Sequence, residues 1–179
     1  HVRGRAGGRR RGSRNNRVDQ IMGSAEHDGL LGEKRVASDG NNSMVGILLL
    51  THAPLGQAFL AAATHVFRGR PERMEAIDVI ADQNPAEVQK LAIEAVGRLD
   101  DGSGVLVITD VMGGTPSNCT GFLCGLGNVQ VIAGISLPML LRALTYRNDT
   151  LDVVVEMALA GGQNGAVRID NRIRVAASA

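Results

Sequence analysis

Two side chains that can hold or exchange protons stand directly after apolar runs of strand length. His52 follows the run in "MVGILLLTH", and Asp110 ends the run "VLVITD". Imidazole changes charge near neutral pH, and it is a nucleophile when one ring nitrogen is unprotonated. A carboxylate that accepts a hydrogen bond from the other nitrogen fixes the tautomer and stabilises the cation that forms. The two residues therefore suit nucleophilic chemistry if the fold brings them together.

The residues after Asp110 are suited to binding an anion. The segment "DVMGGTPSN" places two consecutive glycines, Gly113 and Gly114, before Thr115. Glycine lets the backbone approach a ligand closely, and N–H groups at a helix start favour an oxyanion such as a phosphoryl group. Taken singly, each residue also has an ordinary structural interpretation: a loop histidine, a turn-capping aspartate, a tight glycine turn and a threonine N-cap.

The elements that must position these loops alternate along the chain from Met44 onward. The predicted strands are "MVGILLLT", "MEAIDVIA", "VLVITD" and "VQVIAGIS". The predicted helices are "LGQAFLAAATHVF", "NPAEVQKLAIEAVGRL", "TPSNCTGFLCGL", "LPMLLRALTYR" and "LDVVVEMALAGGQNG". Asn84 and Pro85 mark the start of the second helix. The final run "AVRI" predicts one short strand, which pairs either with its own chain or with a second subunit.

The order of these elements predicts the fold class. Strands and helices that alternate with short connections form parallel strands joined by right-handed crossovers. Unbroken apolar runs such as "ILLL" and "VLVI" suit a sheet covered on both faces. We therefore expect an α/β fold with an open, doubly wound, mostly parallel sheet flanked by helices. The carboxyl ends of its strands meet at one edge, so His52 and Asp110 should be neighbours.

Charge is distributed unevenly along the chain. Residues 1–43 contain nine Lys/Arg against five Asp/Glu, and residues 44–179 contain ten against thirteen. The basic first segment lacks apolar periodicity and aromatic residues that stack on bases, so we expect a disordered or non-native leader and no nucleic-acid partner. Met44 is a plausible native start. No run reaches the ~18 apolar residues needed to cross a bilayer, and no signal peptide is evident, which favours a cytoplasmic protein.

The sequence favours a protein without metal or cofactor. It contains neither the Gly-Lys-Thr/Ser of a P-loop nor a G-x-G-x-x-G fingerprint. His52 and Asp110 are too few for a closed metal site. Cys119 and Cys124 fall on different faces of a predicted helix, so we expect buried, reduced thiols. His65 lies near the end of a predicted helix and is expected to face solvent.

Three segments together resemble the mannose-family enzyme IIA domain of the bacterial phosphoenolpyruvate-dependent sugar phosphotransferase system. They are "GILLLTHAPLG", "VLVITDVMGGTPSN" and "VIAGISLPMLLRAL", and the resemblance runs from about Met44 to Ile169. It implies a homodimer in which the short last strand is exchanged between subunits. We therefore expect a leader over residues 1–43, a single IIA domain over residues 44–170 and a C-terminal tail over residues 171–179, with no IIB domain following.

The resemblance also implies roles for individual residues. His52 would accept a phosphoryl group from phosphorylated HPr and pass it to a histidine of a IIB component, for sugar uptake or regulation. Asp110 would orient the ring, and the Thr115 hydroxyl would lie near the phosphoryl group. The phosphoryl-binding residues would be Gly113, Gly114, Thr115, Pro116 and Asn118. Membrane contact would be indirect, through a permease complex.

Two other interpretations of the same residues remain open. One is a flavodoxin-like module that binds a nucleotide or phosphorylated metabolite at the same edge of the sheet. The other is a regulatory protein that docks other proteins according to its phosphorylation state. The related phosphoryl-donor domain of dihydroxyacetone kinase shares the histidine loop but lacks the Gly-Gly-Thr-Pro block.

Overall fold

The computed structural model describes residues 43–118 and 120–169, and within these ranges the chain forms a four-stranded parallel sheet and five α-helices. The strands are β1 (Gly46–His52), β2 (Met74–Val79), β3 (Val105–Thr109) and β4 (Val129–Ala133). The helices are α1 (Leu55–Phe67), α2 (Pro85–Leu99), α3 (Thr115–Asn118), α4 (Leu137–Tyr146) and α5 (Leu151–Asn164). The predicted α/β class is confirmed. The predictions for residues 1–42, Cys119 and residues 170–179 lie outside the described residues.

The strand order is β2-β1-β3-β4, and every neighbouring pair is parallel. The chain therefore adds β2 on one side of β1 and β3 on the other. This reversal between β1 and β3 is the switch point of a doubly wound sheet, where ligands bind outside the carboxyl ends of the strands. His52 is the last residue of β1, and Asp110 directly follows β3.

Two apolar layers cover the sheet because successive side chains of a strand point to opposite faces. Ile47 and Leu49 of β1 pack in one cluster with α1, α4 and α5. Leu48 and Leu50 pack in the other cluster with α2. All four side chains are fully buried. The unbroken apolar run of β1 is thus explained by burial on both faces, as expected of a parallel strand.

The start of α2 shows how local sequence sets an element boundary. The side chain of Asn84 accepts a hydrogen bond of 3.0 Å from the Ala86 N–H, and Pro85 occupies the first helical position. Both features satisfy or remove N–H groups that have no partner within a helix. The predicted helix start is confirmed.

The predicted helix "TPSNCTGFLCGL" is much shorter in the structure. α3 has four residues, and a 3-10 turn at Leu123–Gly125 follows. The Thr120 N–H and hydroxyl both donate to the Ser117 carbonyl, and the Leu123 N–H donates to the Thr120 carbonyl. These tighter bonds replace the α-helical pattern, in a segment where Gly121 and Gly125 disfavour a helix. Cys124 is exposed, so its predicted burial was wrong.

The predicted strand "AVRI" is absent from the described part of the chain. Residues 166–169 follow α5 without regular secondary structure. Val167 and Ile169 are 69% and 83% exposed, so within the described residues neither is buried against an apolar surface. A strand needs a neighbouring sheet edge for its backbone hydrogen bonds, and this segment pairs with none of the described strands.

Candidate active site

The sheet brings His52 and Asp110 into direct contact. The Nδ1 atom of His52 lies 2.8 Å from Oδ2 of Asp110, and the His52 backbone N–H donates to the same oxygen at 3.2 Å. The carboxylate thus holds both the ring and the main chain of His52. With Nδ1 as the donor, the neutral ring carries its proton there and leaves Nε2 as the unprotonated nitrogen. The expected meeting of the two loops at one edge is what the structure shows.

The surroundings of Asp110 keep it ionised. Its side chain is 10% exposed, whereas the side chain of His52 is 46% exposed. Partial burial acts to raise the pKa of the Asp110 carboxyl. Hydrogen bonds from the His52 ring, the His52 backbone and the Val111 N–H outweigh burial, and the pKa lies below its ordinary value of 3.8. A buried carboxylate beneath a half-exposed imidazole can stabilise a positive charge that develops on the ring.

Gly114 lies against the outer edge of the His52 ring. A Cβ atom at this position would come within 2.9 Å of Cε1 and 3.6 Å of Nε2. The absence of a side chain therefore makes room for the imidazole. Gly113 has a φ of +84°, a left-handed conformation that side-chain-bearing residues rarely adopt. The local geometry therefore favours glycine at both positions.

The loop after Asp110 presents backbone donors beside this ring. Within the part of the chain that the structure describes, the N–H groups of Gly113, Gly114 and Thr115 have no hydrogen-bond acceptor. Asn118 closes the loop, since its N–H donates to the Gly114 carbonyl at 2.9 Å and its side chain to the Gly113 carbonyl at 3.3 Å. The four-residue α3 adds little dipole of its own. The loop N–H groups, rather than a long helix, are the candidate anion donors.

The other predicted site residues differ in their exposure and in the groups that they contact. Thr115 is exposed and lines a cleft together with His52. Pro116 is buried and has no N–H group, so it contributes through the packing of the turn. Asn118 acts on the loop backbone through its hydrogen bond to Gly113. His65 is exposed in the last turn of α1, as expected, and takes no part in the site.

The cleft beside His52 has a second wall that the sequence analysis missed. Its volume is about 640 Å³, and the loop between β2 and α2 contributes Ile80, Ala81, Asp82 and Gln83. Asp82 has a φ of +62°. Reciprocal bonds fix the loop, from the Ile80 N–H to the Gln83 side chain and from the Gln83 N–H to the Ile80 carbonyl. A polar residue after the second predicted strand was the sequence signal for this wall of the cleft. Interpreting that signal required the knowledge that β2 lies next to β1.

Within the described residues, no group of three or more His, Cys, Asp or Glu side chains is arranged to hold a metal ion. No helix of residues 43–118 and 120–169 has the length and apolarity to span a membrane.

The fold and the site define a doubly wound α/β domain that presents a carboxylate-oriented histidine at its switch point. Comparison with known proteins identifies the family. The model of the family described as "PTS system fructose IIA component", EIIA-man, matches residues 46–159. This chain therefore belongs to the mannose-type EIIA family of the phosphotransferase system.

Individual relatives have low sequence identity to this chain. The chain is 28% identical over 124 residues to the mannose-specific EIIAB component of Escherichia coli K12, a match that covers 68% of this chain and 38% of that protein. The EIIA component of Streptococcus agalactiae is 25% identical with a TM-score of 0.63, over 70% of this chain and 97% of that chain. The mannose/sorbose-specific IIA subunit of Enterococcus faecalis shares the fold, with a TM-score of 0.64 and 21% identity over 71% and 96% of the two chains.

Proposed function

We propose that this protein is a phosphoryl carrier that accepts a phosphoryl group on His52 from phosphorylated HPr and passes it to a IIB component. The observation that carries the proposal is the 2.8 Å contact between His52 Nδ1 and Asp110. This contact commits one ring nitrogen to the carboxylate. The other nitrogen stays available at an open cleft, where a phosphoryl donor can reach it.

The chemistry is a direct exchange between two imidazole rings. The lone pair of His52 Nε2 attacks the phosphorus of the donor phosphohistidine as the donor's N–P bond breaks, and the electron pair returns to the donor ring. The proton on Nδ1 remains there, hydrogen-bonded to Asp110. Little covalent work is asked of the protein, so catalysis consists of positioning and charge stabilisation. Transfer to the IIB histidine is the same step in the opposite sense.

The loop N–H groups suit the charge of the transferred group. A phosphoryl group on Nε2 would carry about two negative charges beside the Gly114 backbone. The same loop offers hydrogen-bond donors for this group: the backbone N–H groups of Gly113, Gly114 and Thr115, and the Thr115 hydroxyl. Preorganised donors of this kind stabilise an anion without the cost of reordering water.

The rim around His52 suits docking of a protein donor. Exposed apolar side chains come from three separate loops or helix starts at this edge: Leu55, Ile80, Val111 and Met112, which are 41%, 62%, 51% and 83% exposed. Exposed apolar groups that surround a polar centre are typical of a protein-interaction surface. A partner that covers them would also exclude water from the labile N–P bond during transfer.

The remaining features complete the proposal. The domain would span residues 44–170 and act in the cytoplasm, reaching a membrane only through the permease complex that it serves. The exposed residues 166–169 would pair with the sheet of a second subunit in a homodimer, because the described part of the chain leaves Val167 and Ile169 largely exposed. Sugar specificity would reside in other components, since the carrier handles only the phosphoryl group.

The proposal is tested by incubating the protein with HPr that carries a ³²P-phosphoryl group. We expect acid-labile label on the wild-type protein and loss of that label in His52→Ala with the fold intact by circular dichroism. His65→Ala is the matched control, since His65 is an exposed histidine outside the site, and it should be labelled like wild type. Label retained on His52→Ala, or binding of a phosphorylated metabolite with no covalent label, would overturn the proposal.

A further inference from the structure

The helix that follows His52 begins without a local cap. The N-cap position of α1 is Pro54, which makes no side-chain capping bond, and the first turn of α1 contains no acidic residue. The first N–H groups of a helix have no partner within it and carry partial positive charge. An acceptor from elsewhere in the fold is therefore needed at this point.

Asp78 of β2 supplies that acceptor. Its Oδ1 atom accepts a hydrogen bond of 2.8 Å from the Gly56 N–H, in the first turn of α1. The same oxygen accepts a longer bond of 3.4 Å from the hydroxyl of Thr51, which is fully buried and lies opposite Asp78 in the β1–β2 register. One carboxylate oxygen thus holds both ends of the turn from Thr51 to Gly56. His52 lies within that turn.

The close approach depends on glycine. A Cβ at Gly56 would lie 2.7 Å from Asp78 Oδ1 and 3.0 Å from the Thr51 hydroxyl oxygen. A second bond secures the turn to the same strand, since the Ala53 N–H donates to the Val79 carbonyl at 3.0 Å. The turn is therefore fastened to β2 from behind, while Asp110 holds the His52 ring from the side of β3.

We propose that Asp78 is a positioning residue for His52: by holding both ends of the turn, it keeps the imidazole against Asp110 and aimed into the cleft. This inference rests on the proposed phosphoryl-carrier function. Asp78 does not touch the reacting atoms and acts only through the turn. Small misplacement of a nucleophile lowers the rate of a step that depends on alignment.

The test compares Asp78→Ala with the conservative variant Asp78→Asn and with Glu75→Ala. Glu75 is a carboxylate on the same strand that pairs with Arg98 at 2.7 Å, away from the turn, and serves as the matched control. We expect Asp78→Ala to lower the maximal rate of phosphoryl transfer from phosphorylated HPr about tenfold with little change in KM. Asp78→Asn retains an oxygen acceptor for the Gly56 N–H and should recover most of the rate. Glu75→Ala should match wild type.

A second readout needs no transfer chemistry. The ¹⁵N shifts of the His52 ring report which nitrogen carries the proton, and they should change in Asp78→Ala but not in Glu75→Ala. If Asp78→Ala fails to fold, Thr51→Val removes one of the two bonds at similar volume and should give a smaller change of the same kind. Unchanged transfer and ring shifts in the folded variants, with only a lower Tm, would overturn the inference. Absence of label on the wild-type protein would instead overturn the proposed function, leaving the ring shifts to decide the positioning role.

Discussion

The His52 ring occupies the space that a side chain at Gly114 would need, since a Cβ there would lie 2.9 Å from Cε1. This contact links the loop after β3 to the nucleophile at the end of β1. Gly114 therefore leaves room for the His52 ring in addition to forming the turn. The edge of the imidazole that is not bound to Asp110 faces this loop.

Gly114→Ala should therefore damage phosphoryl transfer more than it damages the fold. The new methyl group must displace the ring from Asp110, and misalignment of this size costs roughly 10–100-fold in rate. Gly121→Ala, in the segment after α3, is the control, because a Cβ there meets nothing within 4 Å. Initial rates of labelling by phosphorylated HPr give the comparison. Equal rates for the two variants would show that the ring tolerates the displacement.

Asp110→Asn should slow transfer without unfolding the domain. An amide can still accept a hydrogen bond, but it lacks the negative charge that stabilises an imidazolium and no longer fixes one tautomer. We expect a loss of about 100-fold or more in the rate of label transfer. Asp149→Asn, at an exposed position beyond α4, should leave the rate unchanged. A wild-type rate in Asp110→Asn would remove the carboxylate from the mechanism.

The pKa of the Asp110 carboxyl should lie below its ordinary value. Partial burial raises its pKa, but the hydrogen bonds from His52 and Val111 outweigh burial and bring the pKa below 3.8. Because the folded pKa is depressed, the stabilising contribution is complete above the unfolded value of about 3.9 and is lost as pH falls through the folded pKa. The side-chain ¹³C shift of Asp110, followed against pH, should show a midpoint below 3.8 that rises in His52→Ala. A midpoint that does not respond to removal of His52 would contradict this coupling.

Much of the scaffold could be predicted because its signals are local. The run "ILLL" in β1 is apolar at every position, which indicates burial on both faces, and Asn84 with Pro85 marks the start of α2. Parallel strands then place His52 and Asp110 at one edge without further information. Chain direction predicts the shared edge, whereas the contact between the two residues also requires β3 to lie next to β1.

What could not be predicted depends on neighbours that are distant in sequence. The cap that Asp78 gives to α1 requires β2 to lie beside β1 in register, which no local pattern states. The short α3 reflects competition between helical and tighter bonds around Thr120. Residues 166–169 pair with neither edge strand of the sheet, β2 or β4, and a local propensity for β structure does not specify a pairing partner.

Two glycines outside the site should respond to alanine in opposite directions. Gly97 lies on the exposed face of α2, where a Cβ meets nothing, so Gly97→Ala should raise the free energy of unfolding by about 0.5–1 kcal/mol. A Cβ at Gly46 would lie 2.7 Å from the Leu99 carbonyl oxygen, so Gly46→Ala should lower it by about 1–3 kcal/mol. Urea denaturation measures both. A Gly46→Ala variant as stable as wild type would mean that the close contact between β1 and the end of α2 is not as described.

Locating the phosphorus atom on the wild-type protein tests His52 Nε2 as the acceptor without any substitution. After reaction with phosphorylated HPr, peptide mapping by mass spectrometry identifies the residue, and ¹⁵N–³¹P coupling identifies the ring nitrogen. We expect phosphorylation of His52 at Nε2, because Nδ1 is held by Asp110. Phosphorus on Nδ1 of His52, or on any other residue, would contradict it.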